Sequence, residues 1–349
     1  MNQFLILIVF LSLGSSIFAQ SIEVVDQSQS GLKLSLPTDN TALYDGKPEE
    51  FYMYVDRWVD GKNLMPWSGG QYGFVRNLVK TDNGIMATKF HEGIDIKPMR
   101  RDSRQEPLDQ VRTMANGTVV YVNSNAARSN FGKYIVIQHN WGNGPFYSLY
   151  AHLSEAKVTV GQRLTEGTQI GVMGYTGDGI DRTRAHVHVE LCMLLSDHFN
   201  DWFRAPNPHG LYHGHNLAGL DIASLLLAQH KRDDITIPDF QKGASPYYKV
   251  TVPRAHVLQI TQRYPWLKIG DHDQPSPSWE ISFTDSGLPL SVAPSNRIVS
   301  KPTVSYVRAT ITQHGYFTSR KLTGSGRTAS LTPAGLRYLS LITQKPIAP

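Results

Sequence analysis

Five short segments between residues 117 and 194 constrain the fold of this 349-residue chain more than any other feature: GTVVYV (117–122), KYIVIQH (133–139), FYSLYAHL (146–153), TQIGVMG (168–174) and HVHVELCML (186–194). Each is rich in β-branched, aromatic or aliphatic residues, and turn-forming spacers such as WGNG and GYTGDG separate them. Many short strands at close spacing predict an antiparallel sheet, sandwich or barrel. The 29 glycines and 20 prolines favour the same reading, with many turns and few long helices.

Strand parity then separates two faces of the last segment. Successive side chains in a strand alternate, so His186, His188, Glu190 and Cys192 share one face while Val187, Val189 and Leu191 share the other. The apolar face is complete without the histidines, which marks the histidine face as polar and suited to a cleft. In KFHEGIDIKP, His91 and Asp95 are an even interval apart, so an extended backbone aims both the same way. This is not the helical zincin motif, which needs a second histidine where Asp95 stands. Histidines and one carboxylate are ordinary zinc ligands, and a catalytic zinc takes three of them and keeps a place for water. His152 shares its strand face with Ser148 and Tyr150. His139 shares a face with Ile135 and Ile137 and reads as structural, while His209, His213 and His215 read as a solvated Gly/Pro loop. Cys192 reads as a small buried hydrophobe rather than a fourth ligand.

Taken together and in order, HEGID (91–95), YAHL (150–153) and HVH (186–188) resemble the lysostaphin-type (LytM-like) zinc metallopeptidases. ANGTVVYV, GKYIVIQH and SLYAHLSEAKVTVGQRLTEGTQIGVMGYTG match the intervening pieces of that domain. The resemblance covers about residues 66 to 200. It implies a mainly β, antiparallel metallopeptidase domain followed by a C-terminal α+β region. It also implies zinc held by His91, Asp95 and His188, with His152 and His186 as catalytic groups facing the water and the substrate. The implied function is an exported endopeptidase acting on the peptides of bacterial peptidoglycan; the rival is a non-catalytic or autoinhibited wall-binding regulator. Two stretches depart from the family pattern. GDGIDRTRAHVH is long and charged where small residues and a proline are usual, and KPMRRDSRQEPLDQVRTMANG resembles an insertion. In the latter, Arg100, Arg101 and Arg104 read as a solvated loop with an acidic substrate as the sharper alternative.

Residues 1–19, MNQFLILIVFLSLGSSIFA, read as a signal peptide and place the protein in the periplasm or outside the cell. No later segment is long and apolar enough for a bilayer, and the single cysteine excludes an intramolecular disulfide. The net charge of +5 and pI of about 9.1 suit an anionic wall surface, and export argues against nucleic acid as a partner. Residues 20–65 form a polar lead-in. In 201–245, a His/Pro loop is followed by a helix in LDIASLLLAQHKRDD, with Asp221 as its cap, and then by a linker. Residues 246–349 are a region of unassigned role, ending in a helix that Thr332 caps and Pro333 starts.

Overall fold

The computed structural model describes residues 31–343, apart from 74–77, 83, 88–89 and 204. The stretch read as a signal peptide lies outside the described residues. Among the described residues, no helix is long and apolar enough to cross a membrane.

The architecture is mainly antiparallel β. The strands of its two larger sheets over the first two-thirds are β1 (Ile94–Ile96), β2 (Gln110–Arg112), β3 (Gly117–Asn123), β4 (Lys133–Asn140), β5 (Pro145–Leu153), β6 (Glu155–Ala156), β7 (Arg163–Leu164), β8 (Gln169–Val172), β9 (Val187–Leu194) and β10 (Leu217–Gly219), beside two short hairpins, Trp58–Val59 with Lys62–Asn63 and Leu78–Thr81 with Gly84–Ala87. A seven-stranded sheet runs β7-β3-β4-β5-β9-β10, with β1 also paired to β9, and a three-stranded sheet runs β6-β8-β2. All five predicted segments are strands, with ends moved by at most a few residues. Helix α1 (Ile222–Lys231) begins where expected: the Asp221 carboxylate accepts from Ser224 N–H at 3.1 Å. Beyond it, strands β11 (Tyr248–Pro253), β12 (Ser278–Phe283), β13 (Pro289–Ser295) and β14 (Thr303–Val307) form a second antiparallel sheet in the order β13-β12-β11-β14. Helix α2 (Pro333–Thr343) closes the described chain, and Thr332 Oγ1 accepts from Gly335 N–H at 3.1 Å.

The alternation in β9 works as read on one side. Val187, Val189, Leu191 and Met193 join the main apolar core. The other face is not an open polar cleft, because every residue of β9 is buried. Past Glu190 that face turns apolar: Cys192 and Leu194 pack with Tyr134, Tyr147 and Leu217, and Leu211 and Tyr212 from the His/Pro loop lie over them. This loop is therefore less solvated than its composition suggests. His209 is buried, bonded to Tyr121 Oη at 2.8 Å and to the Arg128 carbonyl at 3.0 Å.

Two further segments differ from their sequence reading. Leu32, Leu34, Phe51 and Tyr52, in the polar lead-in, belong to the main core. Met53 N–H donates to Asp95 O at 2.8 Å, so this segment lies directly against β1. The stretch after α1 holds a helix, Ile237–Lys242, because Thr236 caps it through Asp239 N–H and Pro238 suits its first turn. The C-terminal region is bolted to the central sheet. Tyr264 Oη accepts from Leu194 N–H at 2.8 Å and donates to Pro145 O at 2.7 Å, and Arg263 donates to Leu194 O at 3.0 Å and pairs with Asp197.

Candidate metal centre

β1 and β9 pair with His188 directly opposite Asp95. Opposite residues of an antiparallel pair share a face, so the register alone sets the carboxylate beside the imidazole. His91 comes from the turn before β1. The close approach needs Gly93, because a Cβ there would lie 2.3 Å from Val189 O and 3.0 Å from His188 Cε1.

Three atoms converge. His188 Nδ1 lies 2.8 Å from Asp95 Oδ1 and 3.1 Å from His91 Nε2, and His91 Nε2 lies 3.2 Å from Asp95 Oδ1. All three residues are buried. His91 Nδ1 faces the Gln71 carbonyl at 2.8 Å, and His188 Nε2 faces the Glu190 carboxylate at 2.8 Å. Those oxygens only accept, so the facing nitrogens carry the protons. In the neutral rings, His91 Nε2 and His188 Nδ1 are then bare lone pairs pointed at each other and at a carboxylate oxygen. Three acceptors this close need a proton or a cation between them. Tetrahedral zinc with bonds of ~2.0–2.1 Å sets its ligands about 3.3 Å apart, so the donor set and its spacing fit that ion. Without a cation the proton solution applies to His188. Burial lowers its pKa, but hydrogen bonds from the ring to Asp95 and Glu190 and the charges on those carboxylates outweigh that and push it up to about 9. Among the described residues this is the one cluster of three or more metal-type ligands.

His186 and His152 complete the group and repeat the same device. His186 Nδ1 donates to Arg184 O at 2.6 Å, and its Nε2 comes within 3.5 Å of Asp95 Oδ1. His152 Nδ1 donates to Thr176 O at 2.8 Å. The His152 ring centre is 4.8 Å from that of His186 and 5.8 Å from that of His188. Burial, then the neighbouring His186 and His188, hold the His152 imidazole well below the usual histidine range, so it is neutral. All four rings are thus fixed through one nitrogen by an outer oxygen, which sets tautomer and orientation.

The position of His152 corrects the parity reading. Simple alternation places it with Tyr150 and Ser148, whose side chains turn to the other face: Tyr150 is in the main core, and its Oη accepts from Met114 N–H at 2.8 Å. The β4–β5 register shifts between Lys133 and Ile135, opposite this point, and His152 has a φ of 62°. The irregularity and the left-handed backbone swing the ring onto the metal face. Such bulges re-aim single side chains beside functional sites. Glu190, the partner of His188, was visible in the sequence only as a member of the histidine face.

The remaining candidates lie apart. His139 is structural, bonded to Asn116 O and Ser148 Oγ at 2.7 Å each, with burial lowering its pKa to about 4. Cys192 is fully buried and donates to Glu190 Oε2 at 3.1 Å. Arg101, partly exposed, donates to Arg182 O at 2.7 Å and Thr183 O at 3.1 Å, bracing the loop that ends at His186.

Residues 89–199 match the family described as Peptidase family M23, so the resemblance to lysostaphin-type metallopeptidases holds over this stretch. Among solved structures, a zinc-containing peptidase from Vibrio cholerae is 23% identical, with a TM-score of 0.24, over 35% of this chain and 36% of that one. The catalytic domain of lysostaphin from Staphylococcus simulans is 22% identical, with a TM-score of 0.25, over 40% of this chain and 79% of that one. A mutant catalytic domain of the prophage-encoded M23 protein EnpA from Enterococcus faecalis is 23% identical, with a TM-score of 0.24, over 35% of this chain and 86% of that one. No curated protein matches the chain.

Proposed function

We propose that this chain, whose residues 89–199 match Peptidase family M23, is an exported zinc-dependent endopeptidase that hydrolyses peptide bonds in bacterial peptidoglycan. The observation that supports it most is the convergence of two imidazole lone pairs and a carboxylate oxygen within 3.2 Å, with two more oriented histidines beside them. His91, Asp95 and His188 hold the zinc. When bound there, zinc would polarise the scissile carbonyl and lower the pKa of its water to about 7.

The chain's own residues do the proton work. His186 has its Nδ1 proton committed to Arg184 O, so its Nε2 accepts a proton from the attacking water. His152 is held in the same sense by Thr176 O, and its Nε2 also starts bare. Neither neutral ring donates into the site. His186 becomes an oxyanion donor only after taking up that proton, so its base and stabiliser roles follow one another in time, while His152, held neutral, remains an acceptor facing the site. Asp95 lies near both the ligand set and His186, its Oδ1 3.5 Å from His186 Nε2.

The test is digestion of purified sacculi with zinc-loaded protein, followed by mass spectrometry of the soluble products. The reading expects muropeptides carrying new peptide termini. Fragments cut only in the glycan, or no fragments, would refute it.

A second reading rests on closure of the site. His152, His186 and His188 are each at most 7% exposed, and the Phe131 ring sits 5.6 Å from that of His188. A chain held in this state is an autoinhibited or non-catalytic wall-binding regulator. Gain of hydrolysis in Phe131→Ala favours autoinhibition, and zinc binding without hydrolysis in both forms favours the regulator.

A further inference from the structure

A cavity of about 630 Å³ opens where the edge of the central sheet meets the C-terminal region. One wall is Phe90 and Glu92, the two sequence neighbours of His91, continued by β10. The opposite wall is Ser286, Lys321 and the α2 residues Arg337 and Tyr338. The walls are tied together at one point, where Tyr72 Oη donates to Gly219 O at 2.9 Å and meets Ser286 Oγ at 3.4 Å. The opening is therefore preformed.

Its cations are placed with care. Lys321 Nζ donates to Ser286 O at 2.9 Å and lies 4.8 Å from the centre of the Tyr338 ring. The turn that delivers it has two successive non-glycine residues in left-handed backbone, Ser319 and Arg320, with φ of 47° and 61°. The Arg337 guanidinium lies 4.5 Å from the centre of the Trp202 ring. Neither cation has an acidic partner within ion-pair distance among the described residues. The surroundings register their charge. Burial, then Arg337 and Lys321, lower the pKa of His215, and burial brings Lys321 down to about 8 against the pull of Glu92 and Asp285.

We propose that this cavity is a substrate subsite for a carboxylate-bearing segment of the peptide, with Lys321 and Arg337 holding the carboxylate and the Trp202 and Tyr338 rings packing on its aliphatic part. The proposal rests on the peptidase reading above and assigns the C-terminal region a role in specificity. A peptide anchored there runs past Phe90 and Glu92 and meets the metal centre from its His91 side. Glu92, facing the same space, suits an amide or ammonium group on the next residue.

The test uses paired synthetic peptides that differ only in one group, a free side carboxylate or its carboxamide. With the full chain, the carboxylate peptide is expected to have a kcat/KM about tenfold or more above its amide twin, the effect of one charge-assisted hydrogen bond. Arg337→Gln and Lys321→Met should each bring that ratio towards one, chiefly through KM. Arg337→Gln, an exposed position, keeps the test valid if Lys321→Met folds poorly. Binding of the same peptides to His188→Ala, read from Trp fluorescence, separates this proposal from the peptidase reading. If no form hydrolyses peptide, the peptidase reading fails, yet a carboxylate preference in binding that Arg337→Gln abolishes still supports the site. Equal binding of both peptides, or a preference that survives Arg337→Gln, overturns it.

Discussion

Replacing Glu190 by glutamine tests whether an outer carboxylate sets the metal-binding form of His188. Its Oε1 accepts from His188 Nε2 at 2.8 Å and its Oε2 from the Cys192 thiol at 3.1 Å. The first bond puts the ring proton on Nε2 and leaves Nδ1 bare, 2.8 Å from Asp95 Oδ1 and 3.1 Å from His91 Nε2. A carboxamide can turn its NH2 towards Nε2 instead, which moves the proton to Nδ1, into the metal position. It also removes the negative charge that raises the basicity of the ligand. Loss of such an outer partner weakens metal binding about 10–100-fold, or ~1.4–2.7 kcal/mol. Competition with a chromogenic chelator near neutral pH measures this directly, with circular dichroism to verify folding. Cys192→Ala is the control: it leaves the Oε1 bond in place and should bind zinc nearly as wild type does. A folded Glu190→Gln that holds zinc as tightly as wild type would refute the tautomer argument, and a large loss in Cys192→Ala would point to the thiol instead.

Gly93→Ala should destabilise the protein by about 1–3 kcal/mol, because the new methyl meets Val189 O at 2.3 Å; it should also loosen zinc by parting β1 from β9, and denaturant melts with and without zinc measure both. Zinc has to displace the proton that the metal-free His188 holds up to about pH 9, so apparent affinity should rise with pH and level off above about 9. The sign for stability is opposite. In the metal-free protein this raised histidine contributes fully below its ordinary value and loses that contribution as pH climbs through about 9, which thermal melts of chelated protein at several pH values will show. Ending the chain after residue 245 should give an insoluble or molten product rather than a free peptidase domain, because it removes Tyr264 from Leu194 and Pro145 and uncovers the core shared with β11 and β12; soluble expression and near-ultraviolet circular dichroism decide this.

Much of the central sheet is legible in the sequence, because strands buried on at least one face must spend β-branched and aromatic residues at short intervals. The helix caps at Asp221 and Thr332 are equally legible, being local hydrogen bonds. Parity sets His91 and Asp95 on one side and His186 with His188 on one face, and only the family resemblance singles out His188; the actual meeting of His91, Asp95 and His188 depends on the β1–β9 register, a long-range fact. His152 defeats parity because one left-handed residue at a bulge reverses its face, and a histidine in a YAHL run carries no sign of φ. The lead-in misleads for a different reason. Leu32 and Leu34 alternate with Gly31 and Lys33 over a stretch too short to stand out, and Phe51 and Tyr52 directly follow charged residues, yet all four join the main core. The His/Pro loop misleads through composition, as His209 is polar yet fully partnered.

The division of labour among the histidines is the central claim, and zinc retention by single variants tests it most directly. Equal amounts of wild type, His188→Ala, His186→Ala and His152→Ala are dialysed against buffered zinc, and metal content is measured alongside hydrolysis of sacculi. The account predicts about one zinc per chain in wild type, His186→Ala and His152→Ala, with hydrolysis only in wild type, and neither zinc nor hydrolysis in His188→Ala. Equal loss of zinc in His186→Ala and His188→Ala, or full hydrolysis by His186→Ala, would contradict it.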